Sequence, residues 1–340
     1  MNTPLALEIL PAHTPALLAV AAQRAASLLR AGELVALPTE TVYGLAANAF
    51  DAVAVAKLFA VKGRPARNPI IVHVADERMA RQCVNAWPVS AARLARAFWP
   101  GPLTLVLPRA GCIPDVVAAG GTTVGVRWPS HPVMQAVIRA CGFPLAAPSA
   151  NPANRLSPTT VEHVCQSLGN RIRLIVDGGP CAIGIESTVL DLTSDPPRLL
   201  RPGMIHETAL AAVLGQGPLP PSAPKTAETL RSPGQLPRHY APRARLLVWT
   251  WDDETALRRR MSQAHLPAGR CHVIAHSRIP SHEGLGGISV LPREANAFAR
   301  ALYAELHRCD RTELAAIVVE APPDAPEWRG IADRLSRAAS

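Results

Sequence analysis

The chain has 340 residues, 48% of them hydrophobic, and a formal net charge of +9; that length predicts two folded domains, and the apolar content excludes a disordered chain. The charge is uneven: residues 1–205 hold 18 basic and 12 acidic side chains, residues 206–242 hold 3 and 2, and residues 243–340 hold 14 and 12. A polyanion such as a nucleotide or RNA is therefore drawn to the first segment, although a basic protein without such a partner fits the totals as well. Seven scattered cysteines form no Cys-x-x-Cys pair, which predicts neither a zinc site nor a disulfide framework and fits a cytoplasmic protein.

From residue 15 to about 200, apolar β-rich runs alternate with helical periodicity. The stretch Ala16 to Leu29 is interrupted by Gln23 and Arg24, so it predicts an amphipathic helix rather than a signal peptide or membrane span. A strand over 34–37 runs into Pro38-Thr39-Glu40-Thr41-Val42-Tyr43-Gly44-Leu45, which sets two hydroxyls, a carboxylate and a phenol at a strand end, where α/β sheets place ligands. Asp51 opens a helix over 51–61, its short polar side chain accepting the free N–H groups of the first turn. Lys62-Gly63-Arg64 follows, and Lys62 is one of only three lysines among 35 basic residues. A compact charge and a planar fork either side of a glycine suit phosphate oxygens, and equally suit a solvated helix end.

Asn68 offers an amide contact or a turn before the strand over 70–74. His73 lies inside that strand, as a core histidine or as a ligand contact if its face opens onto a cavity. After a helix over 90–98 and a strand over 103–107, the strand over 123–127 alternates so that Thr123, Gly125 and Arg127 share one side, a row suited to an anion or to an exposed sheet face. A helix over 131–141 and a strand over 145–147 lead to Pro148-Ser149-Ala150-Asn151 and then Ser157. Thr159 is predicted to open a helix over 159–168, and strands follow over 172–176, 188–192 and 198–200. Glu186-Ser187-Thr188 and Arg201-Pro202-Gly203 serve as turns or ligand contacts. Together these segments supply cations and hydroxyls with few acids, a lining for a polyanionic substrate.

Residues 203–243 are rich in proline and small polar residues and are predicted as a linker without continuous helix or strand, yet they end in Ser232-Pro233-Gly234-Gln235-Leu236-Pro237-Arg238-His239-Tyr240-Ala241-Pro242. The remainder alternates again, with strands over 245–249, 272–275, 288–291 and 315–319 and helices over about 253–264, 294–308 and 326–337, which predicts a small parallel sheet. No Gly-x-Gly-x-x-Gly opens its first helix and no Walker lysine loop occurs. No Gly-x-Ser-x-Gly elbow occurs either, which counts against serine hydrolysis.

In their order, Pro-Thr-Glu-Thr-Val-Tyr-Gly-Leu, Lys-Gly-Arg-Pro with Asn-Pro and Ile-Val-His, Val-Gly-Val-Arg, Pro-Ser-Ala-Asn, Glu-Ser-Thr-Val, Arg-Pro-Gly and Arg-His-Tyr-Ala-Pro make the chain resemble the YrdC-like threonylcarbamoyl-AMP synthases in their long form. The resemblance covers nearly the whole chain. It implies an α/β fold: a YrdC-like twisted mixed sheet with helices around a central cavity over residues 1–205, a linker and active-site lid over 206–243, and a smaller Rossmann-like α/β domain over 244–340. The implied activity joins L-threonine, bicarbonate or carbon dioxide, and ATP with its Mg2+ into L-threonylcarbamoyl-AMP and pyrophosphate. That product goes to downstream tRNA threonylcarbamoyl transferase machinery, which modifies the adenosine beside the anticodon.

Carried over by motif position, Thr41, His73, Arg127, Ala147 and Ser187 surround the threonine. Lys62, Arg64, Asn68, Thr123, Ser149, Asn151, Ser157, Arg201, His239 and Tyr240 hold the nucleotide, with Lys62 and Arg64 stabilising the charge that builds on the phosphoryl oxygens. Gln235 and Pro237 depart from the family's pattern in the lid. Two other readings stand beside this one: an RNA-binding module in tRNA or ribosome maturation without catalysis, and another carbamoyl transferase.

Overall fold

The computed structural model describes residues 7–215, 217, 219, 232, 239–310 and 314–340. They fall into two compact units. The first holds the residues up to Ala153, Ser157–Ala182 and those from Glu186 through the helix that ends at Leu214; the second holds Asn154–Leu156, Ile183–Ile185 and the residues from His239 on.

In the first unit the elements run β1 (Glu8–Pro11), α1 (Pro15–Arg30), β2 (Val35–Leu37), β3 (Gly44–Asn48), α2 (Ala52–Lys62), β4 (Ile71–His73), α3 (Glu77–Gln82), α4 (Val89–Phe98), β5 (Leu103–Pro108), β6 (Thr123–Arg127), α5 (Pro132–Cys141), β7 (Leu145–Ala146), α6 (Val161–Leu168), β8 (Leu174–Asp177), β9 (Thr188–Asp191), β10 (Arg198–Arg201) and α7 (Glu207–Leu214). The strands form one ten-stranded sheet in the order β1-β8-β2-β3-β7-β4-β6-β5-β9-β10. Pairing is mixed, as predicted: β4 runs parallel to β6 and β5 parallel to β9, while β5 and β6 are antiparallel.

Local chemistry explains the helix ends. Asp51 accepts the N–H groups of Val53 (2.9 Å) and Ala54 (3.1 Å) at the start of α2. Gly63 ends that helix at φ 58°, a left-handed conformation that costs glycine nothing and turns the chain directly after Lys62. Thr159 is not the start of α6: Thr160 stands at the cap, and the Thr159 N–H instead donates to His163 Nδ1 (3.3 Å). The segment predicted as a linker opens with α7, whose Leu210, Ala211 and Leu214 are buried. Its core-facing leucines outweigh the proline-rich composition that follows them. Gln235 and Pro237 lie outside the described residues.

The second unit runs β11 (Arg245–Trp249), α8 (Glu254–Gln263), β12 (Cys271–Ala275), β13 (Gly287–Val290), α9 (Ala295–Cys309), β14 (Ala316–Glu320) and α10 (Arg329–Ala338). Its four strands are all parallel in the order β11-β14-β12-β13, the small parallel sheet that the alternation predicted. Glu320, at the carboxyl end of β14, accepts the backbone N–H groups of His276 (2.7 Å), Ser277 (2.8 Å) and Arg278 (3.2 Å) just beyond the end of β12. Those bonds outweigh burial and hold its carboxyl below the usual range. No helix among the described residues is long and apolar enough to cross a membrane.

Candidate active site

Strand order brings the polar residues of the first unit together. His73 on β4 is in register with Arg127 on β6, Thr104 stands on β5 beside it, Ser187 immediately precedes β9, and Arg201 ends β10. All five are buried. The Thr104 and Ser187 hydroxyls are 2.8 Å apart, and Arg201 donates from Nε to the Ser187 carbonyl and from Nη2 to its hydroxyl, both at 3.0 Å. The turn that aims Arg201 is tight: a Cβ on Gly203 would meet the Thr188 nitrogen at 2.5 Å.

The loop after β2 closes over one end of this row. Thr39 Oγ1 donates to the Val42 carbonyl (2.6 Å) and accepts the N–H groups of Thr41 and Val42. The Thr41 hydroxyl, 2.8 Å from Thr39 Oγ1, is therefore the donor of that pair. Thr41 Oγ1 in turn accepts Arg127 Nη2 (3.0 Å), and Arg127 Nε donates to the Gly101 carbonyl (3.3 Å). The same Nη2 stands 2.8 Å from Glu40 Oε1, with side-chain exposures of 4% for Arg127 and 8% for Glu40. The two form a buried ion pair, in which neither Glu40 oxygen receives a hydrogen bond of good geometry among the described residues. Burial pushes the Glu40 carboxyl up, and the Arg127 guanidinium overrides it, so the net shift is downward. Among the described residues Arg127 Nη1 has no hydrogen-bond partner.

A second cluster lies where α2 ends. Lys62 is 2% exposed and donates from Nζ to the carbonyls of Ser149 and Asn151. Burial, reinforced by the Arg64 charge, drives its amine well below the usual lysine range. Arg64 donates to the carbonyls of Asn68 (3.0 Å) and Pro69 (2.6 Å), which fixes the turn between α2 and β4. Asn68 is itself buried, with no partner for Oδ1 among the described residues. The Ser149 loop is tied to the Thr41 loop through Leu45 N–H on the Pro148 carbonyl and Ala150 N–H on the Tyr43 carbonyl, both 2.8 Å. Ala147, whose backbone was expected at the site, donates its N–H to the Ile71 carbonyl (3.1 Å) beside β4. Ser157 donates to Glu186.

The structure thus places Thr41, His73, Arg127 and Ser187 in one cluster, and Lys62, Arg64, Asn68, Ser149 and Asn151 in another. Thr123 begins β6, four residues before Arg127 and half-buried. His239 and Tyr240 belong to the second unit: their rings meet edge to face at 4.0 Å, and Arg334 lies 5.4 Å over Tyr240. The sequence reading missed Thr104, the one hydroxyl in an otherwise apolar strand, and gave no role to Glu40, although both lie against expected site residues.

His73 is buried, and its Nδ1 has no hydrogen-bond partner among the described residues. Burial, then the Arg127 charge, lowers its pKa to about 3 against partial support from the Ile71 and Leu145 carbonyls. The imidazole is therefore neutral in the folded chain throughout the physiological range. The unfolded chain takes up a proton as pH falls below about 6.5, so the stability due to neutral His73 is complete above that value and is lost progressively down to about 3. Thermal melts of the wild type and His73→Phe between pH 7 and 4 are expected to converge as the pH drops; parallel curves would contradict a neutral buried His73.

Two family models match the chain. The one described as telomere recombination spans residues 27–203, and the one described as threonylcarbamoyl-AMP synthase, C-terminal domain, spans residues 205–340. Among curated proteins, the threonylcarbamoyl-AMP synthase of Bacillus subtilis is 41% identical over 323 residues, covering 93% of this chain and 92% of its own. That of Pyrococcus abyssi is 38% identical over 318 residues, covering 92% of each. Among solved structures, P. abyssi Sua5 complexed with L-threonine superposes with a TM-score of 0.89 at 35% identity, over 98% of this chain and 97% of that one.

Proposed function

Because the chain belongs to the threonylcarbamoyl-AMP synthase family in its long form, we propose that it joins L-threonine, bicarbonate or carbon dioxide, and ATP into L-threonylcarbamoyl-AMP, releasing pyrophosphate. The threonine nitrogen attacks the carbon of carbon dioxide and loses a proton. A carbamate oxygen then attacks the α-phosphorus, and the bond to the bridging oxygen breaks as pyrophosphate leaves. The product feeds tRNA threonylcarbamoylation in the cytoplasm, a location that suits a chain whose seven cysteines are free thiols.

The observation that carries this reading is the buried Arg127 fork, held on one nitrogen by Glu40 and Thr41 and on another by Gly101, with Nη1 left over. A guanidinium so fixed is ready to meet the carboxylate of an amino acid. Thr41, His73 and Ser187 border it, and Ala147 contributes backbone. At the other cluster Lys62 and Arg64 face the triphosphate, with Asn68, Ser149, Asn151 and Ser157 around the nucleotide, while Arg201, bonded to Ser187, meets it from the threonine side. Catalysis then rests on positioning and on positive charge where phosphoryl charge develops.

Mg2+ enters as part of the ATP. The two carboxylates of this region, Glu40 and Glu186, are engaged with Arg127 and Ser157, so the described residues do not fit a dedicated carboxylate cage, and the ion is carried by the phosphates.

Purified protein mixed with ATP, L-threonine and bicarbonate is expected to release pyrophosphate in a threonine-dependent manner. RNA binding without turnover would instead favour the non-catalytic module, and turnover with carbamoyl phosphate in place of threonine and bicarbonate would favour another carbamoyl transferase.

A further inference from the structure

We propose that the second unit holds a binding site for one divalent transition-metal ion of the zinc class, ligated by His272, Glu305 and Cys309. Glu305 and Cys309 are one helical turn apart on α9, so both side chains leave the same face, and His272 comes from β12. His272 Nε2, a Glu305 carboxylate oxygen and Cys309 Sγ all lie within 4.8 Å of one another.

The spacing is that of a coordination shell. With zinc bonds of about 2.0–2.3 Å, the ligand atoms of a tetrahedron are about 3.3–3.8 Å apart. Glu305 Oε1 is 3.6 Å from His272 Nε2 and 3.3 Å from Cys309 Sγ. One nitrogen, one oxygen and one sulfur donor together suit zinc or its neighbours rather than calcium or magnesium, which prefer oxygen alone.

The cluster opens onto a cavity of about 300 Å³ lined by His272, His282, Gly286, Gly287, Arg308 and Cys309 among others. That opening leaves a fourth position for water, for His282 or for a small ligand. Gly287 is part of the arrangement, since a Cβ there would stand 2.4 Å from His272 Nδ1 and displace the ring.

The donors are engaged by neighbours: Ser289 Oγ lies 2.6 Å from His272 Nε2 and donates to Glu305 Oε1, and the Arg308 charge sits against the same pair. Arg308 Nη2 lies 2.5 Å from Glu305 Oε1, 2.8 Å from Ser289 Oγ and 3.3 Å from His272 Nε2. Its side chain is 57% exposed, so it can swing into solvent when a metal ion takes its place. On binding, the Cys309 thiol gives up its proton to solvent and becomes a thiolate ligand.

The test uses the full chain, stripped with a chelator and then titrated with Zn2+ or Co2+. One equivalent of Zn2+ is expected to survive desalting and to raise the melting temperature, and Co2+ is expected to give a thiolate charge-transfer band in the near ultraviolet. Cys309→Ser is expected to lose that band and at least about tenfold in affinity, Cys112→Ser, at an exposed thiol, is expected to keep both, and Arg308→Ala is expected to bind the ion more tightly. Failure of the wild type to retain an ion, or an unchanged Co2+ spectrum in a folded Cys309→Ser protein, would overturn the site without touching the proposed reaction.

Discussion

Arg127→Ala is expected to impair threonine-dependent pyrophosphate release and to destabilise the fold by about 3–5 kcal/mol, because it strands a buried carboxylate without its cation. The two losses have different causes and can be separated. Glu40 is the group left unpaired, so adding Glu40→Gln to Arg127→Ala removes the stranded charge and is expected to restore much of the stability. It cannot restore the fork. The double variant should therefore melt well above Arg127→Ala while staying impaired, with a loss of about tenfold to a hundredfold in kcat/KM for threonine, the worth of the one charge-assisted bond that Nη1 is placed to make. Recovery of activity along with stability would remove Arg127 from the substrate and leave it a purely structural cation. Denaturant titration and steady-state kinetics on the same preparations decide it.

Lys62→Met is expected to lower kcat by about 10²–10³, the effect of removing one donor from a developing oxyanion. It also leaves the Ser149 and Asn151 carbonyls without the Nζ donor, so the melting temperature is expected to fall by several degrees as well. Activity alone is then an incomplete readout, and the amine offers a better one. Burial and the neighbouring Arg64 hold its affinity for protons well below the ordinary value, whereas a triphosphate beside it raises that affinity. ATP binding should therefore shift the titration of Lys62 upward, with proton uptake in the pH range between its free and bound values. Calorimetry in buffers of different ionisation enthalpy is expected to show uptake by the wild type and none by Lys62→Met. Equal uptake by both would mean that Lys62 does not face the phosphates.

Much of this architecture is legible in the sequence wherever one short segment carries its own signal. The strand over 123–127 and the strand over 245–249 match β6 and β11 residue for residue, because β-branched and apolar residues are bounded there by turn formers. β3 was missed: Gly44-Leu45-Ala46-Ala47-Asn48 has little strand preference, and it is a strand because it pairs with β2 and β7. β1 was missed for the same reason, as it is held at the sheet edge by β8, far along the chain. α7 was hidden by composition taken over too wide a window.

At the site, ordered motifs pointed to Arg127, His73, Lys62 and Ser187, but not to what each touches. That Glu40 answers Arg127, or that Thr104 meets Ser187, depends on which strands lie side by side, and strand order in a mixed sheet is not written in any local run of residues.

Glu320 carries a consequence for the smaller sheet. In open parallel sheets the crevice beyond the strand tips is where a cofactor's phosphate commonly rests, cradled by successive amide hydrogens. Here three such hydrogens, from His276, Ser277 and Arg278, already close on a carboxylate belonging to the chain itself. An incoming phosphoryl group would have to evict a tethered anion that is always present at high local concentration. The crevice at the tips of β12 and β14 is thus closed by the chain's own carboxylate.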